Sequence, residues 1–224
     1  MREGLSPRRD QWVWRSEKVR CPSCSVKLDE NAVSGQDEVM GNTLDWKTLE
    51  SKELLAAGLF RLRQDRCELP DGRVMPKYYV MEFPDWVNIV PVTLDGKIVL
   101  VEQFRQASGR VHLEIPGGSM DPRTMEDPKR AALRELQEET GFIPEDVRLV
   151  GKHFPNPAMQ NNAMWTYVGF GCRKLAEPTP DPYEDIRVVQ LPVNEVYDKI
   201  RSGEIDHSIV VASLLYAMSF LGVR

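Results

Sequence analysis

Two apolar runs in the middle of the chain lie on either side of a turn signal. Trp86–Thr93 and Ile98–Val101 are nearly continuous apolar segments, and Leu94-Asp95-Gly96-Lys97 connects them. An Asp-Gly pair between two β-rich runs is a strong hairpin signal. Near-continuous apolar character is typical of strands that are buried on both faces. The pattern therefore predicts a central β-hairpin.

Further strands are predicted on both sides of this hairpin. Phe60–Cys67 and Tyr78–Phe83 alternate loosely between apolar and polar residues, and Pro70-Asp71-Gly72 forms a turn signal between them. These segments predict a hairpin that precedes the core. Later in the chain, Val147–Val150 and Met164–Phe170 are also predicted strands.

Helical patterns occupy the segment before Gly141 and the C-terminal part of the chain. Gly141 suits the left-handed cap position at a helix end. Two helices are expected at about 193–202 and 208–221, separated by Gly203-Glu204-Ile205-Asp206. The last helix is predicted to pack Ile209, Leu214, Ala217 and Leu221 inward.

Three carboxylates share one face of the helix that ends at Gly141. Glu135, Glu138 and Glu139 stand at i, i+3 and i+4 spacing, directly after Arg134. Like charges at this spacing repel on an isolated helix. Crowded carboxylates make a hard, oxygen-only site suited to Mg²⁺ or Mn²⁺. The alternative is a solvated acidic helix face.

Composition and charge exclude several classes of function. The 224 residues are 42% hydrophobic, enough for one domain with a sizeable core and some extra elements. No apolar run approaches the roughly 20 residues of a membrane span, and residues 1–14 lack the apolar core of a signal peptide. We therefore expect a cytoplasmic protein. The net charge of −5 disfavours a nucleic-acid partner.

Residues 1–42 form a polar extension that we expect to be disordered or loosely packed. Its one apolar cluster is Trp12-Val13-Trp14. Cys21-Pro-Ser-Cys24 resembles half a zinc knuckle, which leaves a truncated zinc-ribbon appendage as an alternative. A structural zinc needs four ligands, and neither Cys67 nor Cys172 forms a second pair. Reduced thiols are therefore favoured over zinc.

The segment 114–142, EIPGGSMDPRTMEDPKRAALRELQEETGF, resembles the box of the Nudix hydrolase superfamily. That box reads G-x5-E-x7-R-E-U-x-E-E-x-G-U, where U is apolar. All positions from Glu126 to Phe142 stand at the family spacing. One departure is that Gly118 lies eight positions before Glu126 instead of six. We interpret the two extra residues, placed at 123–125, as a loop insertion that costs little closure entropy.

The resemblance implies an α/β fold: an α/β/α sandwich around a mixed sheet, with an amino-terminal β-hairpin or sheet extension. It places a substrate and dimer subdomain at 43–85 and the Nudix hydrolase domain at 86–224. In the ADP-ribose pyrophosphatase branch a similar amino-terminal sheet mediates dimer formation. A homodimer is therefore expected here.

Three further segments resemble the ADP-ribose and nucleoside-diphosphate-sugar branch. Glu102-Gln103-Phe104-Arg105 is similar to an E-Q-[YF]-R segment whose arginine contacts substrate phosphate; a surface pair between Arg105 and Glu102 is the alternative. Glu114 resembles a family position that faces the site; a strand residue that faces solvent is the alternative. In 155–162, the amide of Asn161 is suited to ribose or sugar hydroxyls, or to capping a turn.

The implied chemistry is Mg²⁺-dependent hydrolysis, with Mn²⁺ as a possible substitute. The resemblance assigns metal binding to the Gly117 carbonyl and to Glu135, Glu138 and Glu139. It makes Glu184, in Tyr183–Val188, the candidate base, with Asp181 and Asp185 as alternatives to it; a solvated loop is the other interpretation. Arg134 is expected to orient the glutamates, and Glu126 to support the loop.

The expected substrate is ADP-ribose or a nucleoside-diphosphate sugar, cut to a nucleoside monophosphate and a sugar phosphate. Cleavage of a dinucleoside polyphosphate or an RNA 5′ end is a second enzymatic possibility. A non-catalytic module that senses ADP-ribose belongs to a different class. The intact set of arginine and glutamates in the box argues against that sensor.

Overall fold

The computed structural model describes residues 44–124 and 126–223. The expectations for Trp12–Trp14 and for zinc at Cys21 and Cys24 therefore lie outside the described residues. The described part forms two β-sheets and three α-helices. Their bounds are β1 Lys47–Ala56, β2 Arg61–Glu68, β3 Val74–Glu82, β4 Trp86–Thr93, β5 Lys97–Arg105, β6 Arg110–Glu114, β7 Gly117–Ser119, α1 Pro128–Thr140, β8 Phe142–Ile143, β9 Asp146–His153, β10 Met164–Lys174, β11 Ile186–Pro192, α2 Val196–Ser202 and α3 Ser208–Leu221.

The first sheet is antiparallel and has three strands in the order β1-β2-β3. The sequence predicted only the β2–β3 hairpin. β1 escaped the pattern because it lacks a buried face: nine of its ten residues are exposed, including Leu54 and Leu55. Such a strand has no apolar–polar alternation to detect, although it pairs with β2 along its length, with two register shifts.

The second sheet has eight strands and is mixed. Its main path runs β11-β5-β4-β10-β8, with β6 beside β5, β7 beside β4 and β9 beside β10. β4 and β10 pair in parallel at its centre, whereas β5 and β11 are antiparallel neighbours. The sequence analysis does not predict β11, because it assigns Tyr183–Val188, which overlaps the start of this strand, to a loop.

Helices cover both faces of this sheet. α1 packs Leu136 against Val87 and Ile89 of β4. α2 and α3 cover the opposite face, where Leu214 packs with Val90. This is the α/β/α sandwich around a mixed sheet that the sequence predicted. Within the described ranges, no helix combines the length and the apolar character needed to cross a membrane.

Candidate active site

The sequence around α1 fixes both ends of the helix. The Asp127 side chain accepts hydrogen bonds from two backbone N–H groups of the first turn, and Pro128 occupies the first helical position. Gly141 ends the helix with φ 73°. A Cβ at Gly141 would lie 2.0 Å from the carbonyl oxygen of Ala176, so only glycine allows the following loop to approach.

Two glycines bring backbone against the carboxylates of α1. The Gly117 amide faces Glu139, with 3.5 Å between its nitrogen and Oε1. A Cβ at Gly118 would lie 2.5 Å from Oε1 of Glu135. A side chain at either position would displace strand β4 or the carboxylate. The short strand β7 therefore forms a backbone wall beside Glu135 and Glu139.

Burial and mutual repulsion disfavour the charges of these two glutamates. Burial, followed by the neighbouring charge of Glu135, raises the pKa of Glu139 to about 9. Burial also raises the pKa of Glu135 to about 6, although the adjacent Arg134 partly opposes this shift. A buried and a partly buried carboxylate with raised pKa values mark a place where a cation would be stabilised.

Arg134 lies between three carboxylates. It contacts Glu126 at 3.4 Å, Glu135 at 2.9 Å and Glu138 at 2.8 Å. Since Glu126 belongs to the loop and the other two to the helix, one guanidinium ties the box loop to α1. The orienting role of Arg134 stays a prediction, and these contacts are compatible with it.

The donors in this cluster fit a hard divalent cation. Glu135, Glu138 and Glu139 offer only oxygen atoms, which are the ligands that such a cation prefers. In residues 44–124 and 126–223, no three His, Cys, Asp or Glu side chains converge in a ready-made metal geometry. Glu138 and Glu135 both contact Arg134, at 2.8 Å and 2.9 Å.

Arg105 and Glu114 form a two-point ion pair at the end of β5 and β6. Arg105 donates from Nε to Oε1 at 3.0 Å and from Nη2 to Oε2 at 2.6 Å. Glu114 is only 3% exposed, so it does not face solvent. The alternative prediction, an ion pair between Arg105 and Glu102, is wrong, because Glu102 forms its ion pair with Arg187.

His207 completes this arrangement from the start of α3. Its Nδ1 lies 3.1 Å from Oε1 of Glu114. Burial opposes the charge of Glu114, but its contacts with His207 and Arg105 outweigh burial and lower the pKa of Glu114 to about 2. Sequence reasoning missed His207, because 93 positions separate it from Glu114 and no local spacing connects the two.

The loop that carries Glu184 is fastened to the C-terminal end of α1. The amide of Thr179 donates to the Glu138 carbonyl at 2.7 Å, and the amide of Leu175 donates to the Gly141 carbonyl at 3.0 Å. The charge of Glu184 raises the pKa values of Glu135, Glu139 and Arg105. Glu184 therefore lies within electrostatic range of the carboxylates and of the arginine.

Asn161 connects the two sheets. Its Oδ1 accepts a hydrogen bond from the Phe83 amide at 3.0 Å, just after β3. Tyr78 strengthens the same junction by donating its hydroxyl to the Ala158 carbonyl at 2.7 Å. This contact gives the amide oxygen of Asn161 a structural role.

In the described part of the loop insertion, Arg123 and Thr124 form a turn with Asp121. Asp121 accepts hydrogen bonds from the amide and the guanidinium of Arg123, and its carbonyl accepts from the Thr124 amide. The chain then returns to Glu126, which reaches Arg134. The extra residues thus lie on the loop side of the carboxylate cluster.

Comparisons with known proteins show the family to which the chain belongs. The NUDIX domain family matches residues 83–214, which is more than half of the chain. The chain belongs to the Nudix family. The Nudix domain is preceded by a match at 46–81 to the nucleoside diphosphate sugar hydrolase N-terminal domain, which covers the three-stranded sheet.

Individual relatives of this Nudix hydrolase carry several names. An ADP-ribose pyrophosphatase of Mycobacterium tuberculosis is 30% identical over 76% of this chain and 82% of its own length. A methanol dehydrogenase activator of Bacillus methanolicus is 29% identical over 79% of this chain and 95% of its length. A crystal structure of an ADP compounds hydrolase superposes with a TM-score of 0.71 at 23% identity, covering 81% of this chain and 97% of that one, which confirms the fold.

Proposed function

We propose that this Nudix hydrolase cleaves the pyrophosphate bond of ADP-ribose or of a nucleoside-diphosphate sugar, using Mg²⁺. The products are a nucleoside monophosphate and a sugar phosphate. The observation that carries the proposal is the pair Glu135 and Glu139 beside Gly117–Gly118: Glu139 is buried, Glu135 is partly buried, and both have raised pKa values. The N-terminal domain match and the name of the mycobacterial relative support this substrate class.

Glu135, Glu138, Glu139 and the Gly117 carbonyl would hold Mg²⁺, and Mn²⁺ would suit the same oxygen donors. The ion would neutralise phosphate charge and lower the pKa of the attacking water. In the hydrolysis, the water oxygen forms a bond to one phosphorus of the diphosphate. The bond between that phosphorus and the bridging oxygen breaks, and the bridging oxygen leaves with the other phosphate. The chain must therefore bind the diphosphate and accept a proton from the water.

We assign the phosphate contact to Arg105. Glu114 already holds two of its nitrogens and thereby fixes the plane of the guanidinium. In the described part of the chain, Nη1 of Arg105 has no hydrogen bond to protein, and nearly half of the side chain is exposed. A preoriented guanidinium binds a phosphate without first losing its conformational freedom.

We assign the proton to Glu184, with Asp181 and Asp185 as its alternatives. Glu184 is part-buried and accepts a hydrogen bond from the Asp181 amide at 3.0 Å. Its loop is anchored beside the helix through Glu138. Arg134 acts by keeping Glu135 and Glu138 in place, and Asn161 presents Nδ2 towards the sugar or ribose.

We further propose that the three-stranded sheet pairs with a second copy of the chain. Exposed apolar side chains on this sheet and on the turn between β1 and β2 would be buried in such a contact. They are Leu54, Leu55, Leu59, Val74, Met75 and Tyr79. Light scattering coupled to size exclusion should give the mass of a dimer. A Leu55→Glu variant should give the mass of a monomer, whereas a wild-type monomer would exclude this assembly.

The test of function is phosphate release, after added phosphatase, across a panel of ADP-ribose and nucleoside-diphosphate sugars with Mg²⁺. We expect release from at least one of them and none from the Glu139→Gln variant. A dinucleoside polyphosphate and a capped RNA are assayed beside this panel, and release from either of them with none from the panel would contradict the substrate class. Binding of ADP-ribose without any turnover would instead favour a regulatory module, a role suggested by the relative named as an activator.

A further inference from the structure

The turn between β5 and β6 carries an exposed serine whose hydroxyl faces a histidine. Ser108 lies in this turn, at residues 106–109. Its Oγ lies 2.6 Å from Nε2 of His112, which belongs to β6. The same hydroxyl lies 3.1 Å from the carbonyl oxygen of Arg105. The imidazole nitrogen is therefore the nearer of the two partners of the hydroxyl.

An aspartate holds the other nitrogen of the same imidazole. Nδ1 of His112 lies 2.7 Å from Oδ1 of Asp206, which comes shortly before α3. An ionised carboxylate only accepts hydrogen bonds, so Nδ1 carries a proton and Nε2 of the neutral ring is an acceptor. The hydroxyl of Ser108 then donates to Nε2. The side chain of His112 is only 11% exposed, which shields these contacts from water.

The three side chains stand in the order that activates a serine as a nucleophile. In that arrangement the histidine accepts the serine proton through Nε2, and the carboxylate at Nδ1 keeps the ring in the required tautomer. Both distances fall within the hydrogen-bond reach of roughly 2.6–3.2 Å that such a relay needs. Sequence reasoning missed this cluster, because 94 positions separate His112 from Asp206.

Arg110 stabilises the carboxylate of this cluster. Its guanidinium pairs with Oδ2 of Asp206, so each carboxylate oxygen has a partner of its own. The contacts with His112 and then with Arg110 lower the pKa of Asp206 below its usual value. Asp206 is therefore ionised at neutral pH and can balance the charge of an imidazolium at His112.

The backbone of the turn restricts which substrates suit the serine. The amides of Ser108 and Gly109 both donate to the Arg105 carbonyl, at 3.2 Å and 2.9 Å. These two amides are thus not available to bind the negative oxygen of a tetrahedral intermediate. An ester with a good leaving group depends less on such stabilisation than an amide does. The site therefore suits small activated esters.

We propose that Ser108, His112 and Asp206 form a second reaction site, in which activated carboxylic esters acylate Ser108 and water then releases the acyl group. The Oγ of Ser108 bonds to the acyl carbon while its proton passes to Nε2 of His112. The bond to the leaving alkoxide breaks, and the alkoxide takes that proton and departs as an alcohol. Water repeats the step with His112 as the base, releases the carboxylic acid and restores Ser108. Ester and water thus give acid and alcohol without another reactant.

Labelling of the full chain with an alkyl fluorophosphonate, which bonds to activated serines and releases fluoride, tests the nucleophile. After tryptic digestion, we expect the adduct on the peptide 106–110. Ser108→Ala should abolish this adduct. Ser202→Ala is the matched control and should leave it unchanged, because Ser202 is exposed but contacts Lys199 and Glu204 instead of a histidine.

The rate of labelling separates a reacting relay from a structural cluster. His112→Gln and Asp206→Asn should each slow the formation of the adduct by roughly 100-fold, while the circular dichroism spectrum stays that of the wild type. The proposal is overturned if the wild type carries no adduct on 106–110. It is equally overturned if a folded His112→Gln variant is labelled at the wild-type rate.

Release of p-nitrophenolate from p-nitrophenyl acetate tests the complete reaction. The wild type should give a burst of about one phenolate per chain, followed by a slower steady release. Ser108→Ala should give neither phase above the rate of the buffer. A wild-type time course that lacks the burst, or that stops after it, would overturn the proposal.

Discussion

The guanidinium of Arg105 donates two hydrogen bonds to the carboxylate of Glu114, with donor–acceptor distances of 3.0 Å and 2.6 Å. The carboxylate of Glu114 is buried and the side chain of Arg105 is nearly half exposed. The pair therefore presents the positively charged guanidinium of Arg105 to the solvent side of the site. His207 binds the same carboxylate from α3. Residues from both ends of the Nudix domain thus determine where the guanidinium of Arg105 lies.

Replacing Glu114 should damage catalysis more than stability. Glu114→Gln keeps the shape but removes the charge that holds Arg105, so we expect kcat/KM to fall by roughly 100-fold through misplacement of the guanidinium. The loss of charged hydrogen bonds should lower the free energy of unfolding by about 1.5–3 kcal/mol. Steady-state kinetics and urea unfolding measure both. Arg187→Gln, which breaks the surface pair with Glu102, is the control and should leave kcat/KM near the wild-type value.

Replacing His207 should make the protein more sensitive to acid. The pKa of Glu114 is about 2 in the folded protein and 4.5 ordinarily. Its ionisation therefore stabilises the fold above pH 4.5, and this contribution is lost as pH falls toward 2. His207→Leu removes one donor and raises the folded pKa, so the acid-unfolding midpoint should move to higher pH. In a Glu114→Gln background the same substitution should cause a much smaller shift; an equal shift would contradict the linkage.

Adding a methyl group beside Glu135 should reduce turnover without unfolding the protein. In Gly118→Ala the new Cβ meets the end of a flexible side chain, the Glu135 carboxylate, which can move aside. We expect a normal circular dichroism spectrum and a kcat lower by at least about tenfold. Gly58→Ala is the matched control, since nothing lies within 4 Å of its Cβ. Equal activity of the two variants would remove Glu135 from the site.

Metal binding should release a proton. The pKa of Glu139 is about 9 without metal, so this carboxyl is protonated at neutral pH, and Mg²⁺ must displace the proton. Affinity for Mg²⁺ should therefore increase as pH rises. Isothermal titration in buffers with different protonation enthalpies counts the protons. Glu139→Gln should lose this proton release, and a wild-type count of zero would contradict the assignment.

The sequence was most informative where local rules act alone. Asp127, Pro128 and Gly141 determine the ends of α1, and helical spacing then places Glu135 and Glu139 side by side. The Asp-Gly turn correctly predicted the β4–β5 hairpin, in which Gly96 has φ 76°. These features depend on neighbours within one helical turn or one tight turn.

Long-range contacts were beyond the reach of the sequence. His207 binds Glu114 only because α3 begins beside β6, and no periodicity encodes that contact. The structural role of Asn161 depends likewise on where β3 ends. β1 was missed because a strand without a buried face leaves no alternating pattern. In each case tertiary packing, and not local preference, decides the outcome.

The most direct test of the central claim is phosphorus NMR of ADP-ribose incubated with the full chain and Mg²⁺. The account predicts that the diphosphate signals are replaced by those of AMP and ribose 5-phosphate. This conversion should stop with a chelator and be slower by orders of magnitude in Glu138→Gln and Glu139→Gln, while both variants remain folded. Near-normal turnover in both variants, or products other than two monophosphates, would contradict the account.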